Sequence, residues 1–334
     1  MTDLSGLLPL AVSFEWLTDI GFWTGVGVLA GTYALAALGL QLNVGFTGIV
    51  NFGQAGFMAV GAYAMAILVL DAGLSFWVAM PVAMLIAMAF GLLVGLPSLR
   101  LRADYLAIAT IALAEMVRLV AQNARSLTGG NQGLFCNDDN TACYDDTWLD
   151  FSDSVEEWLE GLGWSNPETL FPLLLAVWLL VALVTVGLNL IQRTPWGRVL
   201  RAVREDEDAA KALGKNAFAY KLQSLAISAA IAAIAGFVLA INLATIHPID
   251  FEPLVTFLAY GVLVLGGLAN YWGVAVGSLI LWTIFEGTRE ADILASGTDE
   301  AALRFLIAGA LLIALMAFRP QGMFGKRQEM VLGD

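Results

Sequence analysis

The stretches 76–97, 171–191 and 303–318 run almost without charge, in a chain of 334 residues. A helix needs roughly 20 predominantly apolar residues to cross the hydrocarbon core of a bilayer, and runs like these constrain a fold more than any other feature. The rest of the sequence agrees with them. Hydrophobic residues make up 59% of the chain and charged ones 13%, against the roughly one quarter usual in soluble domains. Water cannot solvate that much apolar surface, and lipid can. The expected fold class is all-α, a polytopic membrane protein.

About nine apolar segments can be read, hence roughly 8–10 transmembrane helices. They fall near 22–43, 52–70, 76–97, 105–121, 170–191, 217–241, 254–271, 273–288 and 303–318. Cytoplasmic loops carry an excess of Lys and Arg. Basic clusters follow the third segment (Arg100, Arg102), the fifth (Arg193, Arg198, Arg201, Arg204, Lys211, Lys215, Lys221) and the last (Arg319, Lys326, Arg327). All three share one side if the N-terminus is outside and the C-terminus inside. The expected organisation is one membrane-embedded domain over 1–334. An acidic extracytoplasmic loop spans 122–169 and a cytoplasmic loop spans 192–216.

The stretch 126–192 contains many Asp and Glu and no Lys or Arg, which fits the outer side. It also holds Cys136 and Cys143. A disulfide persists outside the cytoplasm, and closing so short a loop would stabilise it by about 2–3 kcal/mol. Two separate thiols are the alternative. The first 21 residues lack the basic start of a cleaved signal peptide, so the first span is expected to direct insertion. The net charge of −13 reads as an acidic surface suited to a salty medium. A cation funnel is the rival, and the spans do not supply the carboxylates it needs.

Two kinds of polar feature interrupt the spans. Glu115 and Arg118 stand at i and i+3 and can pair on one helix face, which directs them towards other helices or water rather than lipid. The run 43–64, "NVGFTGIVNFGQAGFMAVGAYA", is broken by glycines among Asn43, Thr47, Asn51 and Gln54. In the other half, Gly266, Gly267, Asn270 and Gly273 break "YGVLVLGGLANYWGVAVGS". Glycine-interrupted segments in corresponding halves point to a transporter's substrate site, so Asn43, Thr47, Asn51, Gln54 and Asn270 are the candidate path. Close packing through small residues explains single glycines equally well. Amides without partners in lipid would be harder to explain. The near-absence of loop between 254–271 and 273–288 suggests a re-entrant or tilted element.

Enzymatic chemistry is nearly absent. The single histidine, His247, precedes Pro248 at a span end and suits a loop or capping role. No Walker lysine follows a glycine-rich loop, and the cysteines lack zinc-ligand company. No catalytic residue, metal, cofactor or nucleic-acid partner is expected.

Charge is concentrated instead in "TPWGRVLRAVREDEDAAKALGKNAFAYK", between two spans on the basic side. Val199, Leu200, Val203, Ala210 and Leu213 recur at helical spacing. Arg204 with Asp208, and Glu207 with Lys211, stand as i,i+4 pairs. Gly214 is placed to end the helix. The expectation is one short amphipathic helix whose apolar stripe docks into a groove on a soluble partner.

At this point the sequence resembles a known family. "DAAKALG", 208–214, is similar to the EAA-x3-G loop of ABC importer permeases, with Asp208 replacing the usual Glu. The blocks "GFTGIVNFGQAGFMAVGAY", "LRLRADYLAIATIALAEMVRLV", "LTGGNQGL", "VLVLGGLANYWGVAVGSLIL" and "RPQGMFG" resemble, in order, permeases of the branched-chain amino acid family. The resemblance implies a plasma-membrane subunit that works with a second homologous permease, two ABC ATPase subunits and an extracytoplasmic solute-binding protein. Gly197, Arg201, Arg204, Glu205, Asp208, Ala209, Ala210 and Gly214 would couple to the ATPases. Gln54 and Ala55 depart from the family's usual His-Gly, and the loop 135–169 is long and acidic. Urea, short amides and, more distantly, sugars therefore stay open as substrates. A secondary transporter or channel is the rival outside the family, with only Glu115, Arg118 and Glu286 to offer for ion coupling.

Overall fold

The computed structural model describes residues 15–135, 146–161 and 170–290; within 306–325 it describes 306, 307, 309, 310, 313, 314, 317, 318 and 322–325. Cys136, Cys143 and half of the expected ninth segment lie outside these residues.

The first helix, α1 (Ile20–Leu40), is capped at its start by Asp19, whose carboxylate accepts from the Gly21 N–H. It continues as a π-helix over Gln41–Thr47 and stops at Gly48, in left-handed conformation at φ 73°. After a non-helical stretch come α2 (Gln54–Leu70), α3 (Phe76–Ser98), α4 (Ala103–Asn123) and the single turn α5 (Arg125–Thr128). The strand β1 (Leu134–Phe135) pairs antiparallel with β2 (Thr245–Ile246). Between them lie α6 (Asp146–Gly161), α7 (Phe171–Arg193), α8 (Pro195–Glu205), α9 (Glu207–Ala212) and α10 (Ala217–Leu243). Last among the described residues are α11 (Pro253–Gly266) and α12 (Tyr271–Glu290).

Four of these are long and apolar enough to cross a membrane: Ile20–Thr47, Phe76–Ser98, Phe171–Arg193 and Ala217–Leu243. α11 and α12 qualify only together and are bent at 116° across 267–270, so the expected re-entrant or tilted element is a sharply broken pair. α2 is a shorter apolar helix of 17 residues. The fourth expected segment, 105–121, lies within a helix of 21 residues, α4.

Burial separates the spans into two classes. In the most apolar windows of α1 and α10, 89% of residues are inside the protein, against 33% for α3 and 39% for α7. Composition explains the difference. α1 and α10 carry runs of alanine and glycine, which let helix backbones approach where no hydrophobic force drives them together. A Cβ on Gly61 would meet the Ala233 Cα at 2.4 Å, and one on Gly236 would meet the Met58 carbonyl oxygen at 2.2 Å. The packing reading therefore holds for Gly61, where α2 crosses α10. α3 and α7 instead turn long side chains outwards, with Leu93 66% and Leu179 69% exposed. Apolar faces of this kind suit a lipid surrounding.

The acidic stretch has structure of its own. α6 buries Trp148 and Leu159 and lays its rings on the start of α3, Trp148 against Phe76 and Phe151 against Trp77. Its carboxylates line the remaining surface. The "LTGGNQGL" block folds against β2, where a Cβ on Gly133 would meet the Ile246 carbonyl oxygen at 2.5 Å. His247 takes the capping role expected of it, its N–H donating to Asp250 Oδ2 at 2.8 Å.

Candidate functional site

The break between α1 and α2 is the first part of the site. Residues 48–53 leave the helix, and beyond exposed Gly48 they are buried or half-buried, so their polar groups must find protein partners. They do. Asn51 Oδ1 accepts from the Gly53 N–H at 2.9 Å, and the Asn51 carbonyl accepts from the Tyr260 hydroxyl at 2.9 Å. The Phe52 N–H donates to Thr110 Oγ1 and the Ala55 N–H to Thr256 Oγ1. Asn51 Nδ2 donates to Gln54 Oε1, which also accepts from Ser228 Oγ, while Gln54 Nε2 donates to the Ala36 carbonyl at 3.0 Å. Thr47 Oγ1 lies 2.8 Å from Ser224 Oγ, and Ser224 Oγ donates to Asn43 Oδ1 at 3.0 Å.

The expectation that these amides lack partners is therefore corrected. Asn43, Asn51 and Gln54 are 0% exposed and Thr47 1%; α10 hydroxyls meet Asn43, Thr47 and Gln54, and the Tyr260 hydroxyl of α11 meets the Asn51 carbonyl. Asn43 Nδ2 is the exception, buried with no partner among the described residues. Sequence reasoning missed Gln41, Thr110, Ser224, Ser228, Thr256 and Tyr260. The signal was present: Ser224 with Ser228, and Thr256 with Tyr260, stand four apart in apolar runs, which places each pair on one helix face.

The second break sits apart. Asn270 is half-buried and caps α12, its Oδ1 accepting from the Gly273 N–H, while its Nδ2 donates to the Phe324 carbonyl at 3.0 Å. The Met323 N–H reaches the Leu265 carbonyl at 3.1 Å, so residues 322–325, the described part of the "RPQGMFG" block, seat on the bend. Asn270 does not join the cluster around Asn51; Gln41 connects the two regions. Turned so that its oxygen faces the N–H groups, the Gln41 amide accepts from Ala269 at 2.5 Å and Asn270 at 2.6 Å.

The charged loop departs from expectation in two ways. It forms two helices, not one, because Asp206 is extended (φ −152°) and its carboxylate caps α9 by accepting from the Asp208 and Ala209 N–H groups. The break removes the helical turn that an Arg204–Asp208 pair requires. Asp208 lies 3.4 Å from Lys211, and Arg204 donates across the protein to the Gly45 carbonyl in the π-helical segment. The other expected pair forms, Glu207 with Lys211 at 3.1 Å, and Glu207 also meets Lys221 on α10. Burial pushes the Glu207 carboxyl up, but hydrogen bonds from Lys221 and Lys211 outweigh it and hold it below its ordinary range.

Second, the apolar stripe faces the protein's own membrane domain. Leu200, Val203 and Ala210 are buried, with Ala217 beside Val203 and Ala210, whereas Leu213 is 81% exposed. Gly197 is fixed by close approach, since a Cβ there would meet the Gln192 carbonyl oxygen at 2.4 Å; Arg201 bonds the same carbonyl. The surface left open carries Glu205, Asp208, Ala209, Leu213 and Gly214. Gly214 ends α9 as expected. At φ 76° it donates to Lys211, and the Lys215 N–H donates to Ala210, which together form a Schellman motif.

Glu115 and Arg118 form the expected pair through two hydrogen bonds, with side chains 34% and 17% exposed. No group of three or more His, Cys, Asp or Glu residues that could hold a metal occurs among the described residues.

Broken helices satisfied inside a bundle of apolar spans, with amphipathic helices closing one end, define a membrane transport subunit. The family described as the permease component of the branched-chain amino acid transport system matches residues 23–316, and the chain belongs to it. The chain is 34% identical over 328 residues to the high-affinity branched-chain amino acid transport system permease protein LivM of Escherichia coli K12, covering 96% of this chain and 74% of the relative. It is 28% identical over 312 residues to LivH of the same organism, a permease protein of the same-named system, covering 89% and 92%. A probable branched-chain amino acid permease LivM of Methanocaldococcus jannaschii is 27% identical over 357 residues, covering 95% of both chains. No solved structure matches the chain. The protein is a permease subunit of a transport system, and its family carries transport rather than catalysis.

Proposed function

We propose that the chain pairs with a second homologous permease to form the translocation path of an ABC importer for branched-chain or other hydrophobic amino acids. Two ATPase subunits would drive it and an extracytoplasmic solute-binding protein would deliver the substrate. One organism holds two permeases of one named system, and both are similar to this chain, which supports the pairing. In this reading the protein is a multi-pass plasma-membrane subunit with about nine apolar segments, its N-terminus outside and its C-terminus inside. The acidic loop 122–169 then faces outwards and the loop 192–216 faces the cytoplasm.

One observation carries the mechanism: Arg204 on α8 holds the Gly45 carbonyl in the interrupted end of α1. A push on the exposed rim of α8 and α9 is transmitted by that contact to the broken span. Gly197, Arg201, Arg204, Glu205, Asp208, Ala209, Ala210 and Gly214 are assigned to ATPase coupling. Asn43, Thr47, Asn51 and Gln54 border the path at the first break, and Asn270 lies at the second. ATP-driven closure would shift the permease between inward- and outward-facing populations. Buried Asn43 Nδ2, without a partner in this arrangement, is a donor that a rearranged path could use.

The test is reconstitution of the permease pair with its ATPases and binding protein in proteoliposomes. Leucine, isoleucine and valine uptake should depend on ATP and on all the subunits, and urea or short amides should not compete. Competition by urea would move the substrate to the short-amide branch. Uptake driven by an ion gradient without ATPases would overturn the assignment.

A further inference from the structure

At the end of the bundle that carries α8 and α9, a cavity of about 480 Å³ opens between the α3–α4 turn, the non-helical start of the broken span and the two loop helices. Arg100, Arg102, Arg204 and Lys221 line it, with Glu207 as the one acidic residue of the lining. The whole chain has 16 Lys and Arg against 29 Asp and Glu. Four of those cations in one cavity are a concentration of positive charge that the overall balance opposes, and like charges so placed repel unless an anion lies between them.

Existing contacts neutralise part of the cluster. Lys221 meets Glu207, and Arg100 lies 6.0 Å from the Phe218 ring centroid, a contact that leaves its charge in place. The wall also includes Arg102 and Ala103, where α4 begins without a side-chain cap, so the positive end of a helix of 21 residues meets the cavity. Residues 47–50, where the backbone has left the helix, complete the lining. Basic pockets between transmembrane helices, level with the span ends, suit the headgroups of anionic lipids.

We propose that this cavity binds a phosphate-bearing anion, supplied by the headgroup of an anionic phospholipid. Arg100 and Arg102 would hold the phosphate from the α4 side and Arg204 from the loop side. Bound there, the anion bridges the start of α4, the coupling helices and the broken span.

The test titrates purified protein in neutral detergent with dioctanoyl phosphatidylglycerol, dioctanoyl phosphatidylcholine and inorganic phosphate. Lipid binding is read by native mass spectrometry and phosphate binding by calorimetry. Phosphatidylglycerol should bind more tightly than phosphatidylcholine, and binding should weaken with salt. The paired substitution Arg100→Gln, Arg102→Gln should weaken it about 30-fold, at about 1 kcal/mol for each basic residue. Arg193→Gln with Arg198→Gln removes the same charge outside the cavity and should leave binding unchanged. Arg100→Lys with Arg102→Lys should retain most of it, separating loss of charge from loss of fold. Phosphate binding beside lipid binding names a free anion as a second source; lipid binding alone names the headgroup as sole source, and either supports the site. Equal binding of the two lipids, or equal loss in both Gln pairs, would overturn it. Retained lipid binding with lost ATPase capture in the Arg100, Arg102 variant would assign the cavity to an acidic protein surface instead.

Discussion

Arg204 donates a hydrogen bond to the carbonyl oxygen of Gly45, joining the loop helix α8 to the last turn of the first span. The carbonyls of a helix's final turn have no partner within the helix, and a cation there also opposes the negative end of the helix dipole. The contact thus stabilises the end of the π-helical segment that continues α1 and stops at Gly48. Gln41, at the start of that π segment, reaches the second break through Ala269 and Asn270. Loop helices, first break and second break form one connected series.

Removing the first link should disconnect the loop from the path. A hydrogen bond to a charged group contributes about 1.5–3 kcal/mol, so Arg204→Ala should lower uptake by about ten-fold or more. Insertion and ATPase capture should persist, because the exposed rim is unchanged. Uptake and ATP hydrolysis measured together in proteoliposomes decide it. A parallel fall in both would mean that Arg204 supports assembly rather than transmission.

Gly214 offers a test on backbone conformation alone. No atom lies within 4 Å of a Cβ built there, so only its φ of 76° opposes substitution. A β-branched residue in the left-handed region costs about 1–2 kcal/mol. Gly214→Val should distort the end of α9 and uncouple transport, whereas Gly214→Asn, which tolerates that conformation, should retain most of it. Equal activity in the two variants would show that the end of α9 need not be held.

The spans and their breaks were readable because lipid imposes a composition that periodicity does not need to support. Glycine and amide positions marked the break at 48–53, and Gly214 marked a helix end through its backbone requirement alone. The direction of the loop's apolar stripe was not readable. Leu200, Val203 and Ala210 satisfy an amphipathic pattern whether the covering surface belongs to a partner or to the same chain, and only the fold shows that it is the same chain. The break at Asp206 was hidden for a related reason. An aspartate inside a charged helix and one capping the next helix look alike in sequence, and the alternative hydrogen bonds available to Asp decide between them. The hydroxyl partners of Asn51 and Gln54 come from helices far away in sequence, and no local pattern pairs them.

Glu207 gives the loop a pH limit. Its carboxyl is held below its ordinary 4.5, with the Lys221 and Lys211 bonds outweighing burial. A depressed carboxyl contributes stability that is complete above its unfolded value and is lost as pH falls through the folded one. Protection from hydrogen exchange across 207–215, taken relative to the intrinsic rate at each pH, should therefore stay constant between about pH 6 and pH 8 and fall only in acid below the ordinary carboxylate range. Glu207→Gln should lower that protection at neutral pH and abolish its fall in acid. A transition near neutral pH would contradict the sign.

Orientation can be tested at the cysteines. Cys136 and Cys143 follow β1 in the stretch proposed to face outwards. Impermeant thiol reagents should leave them unlabelled in intact cells until a reductant is added, and should then label both. Labelling that requires permeabilised membranes would reverse the proposed orientation, and labelling without reductant would remove the disulfide.

The first break poses the sharpest question, since its polar side chains serve the fold whether or not they border the path. Asn51→Leu removes the acceptor for the Gly53 N–H and the donor to Gln54; Gln54→Leu removes the acceptor shared by Asn51 and Ser228. Each change leaves buried polar groups without partners, at about 1–3 kcal/mol, so both variants should melt at lower temperature. The two residues share a hydrogen bond, so the double variant should lose less than the two single losses added together. A purely structural role ends there: the protein that remains folded would transport at the full rate per inserted molecule. If the break borders the path, uptake per inserted molecule falls in both variants, while binding-protein affinity and ATPase stimulation persist because neither docking surface is altered. Full uptake by both leucine variants would assign Asn51 and Gln54 to helix packing alone and leave Asn43, with its unpartnered Nδ2, as the polar group of this break still to be explained.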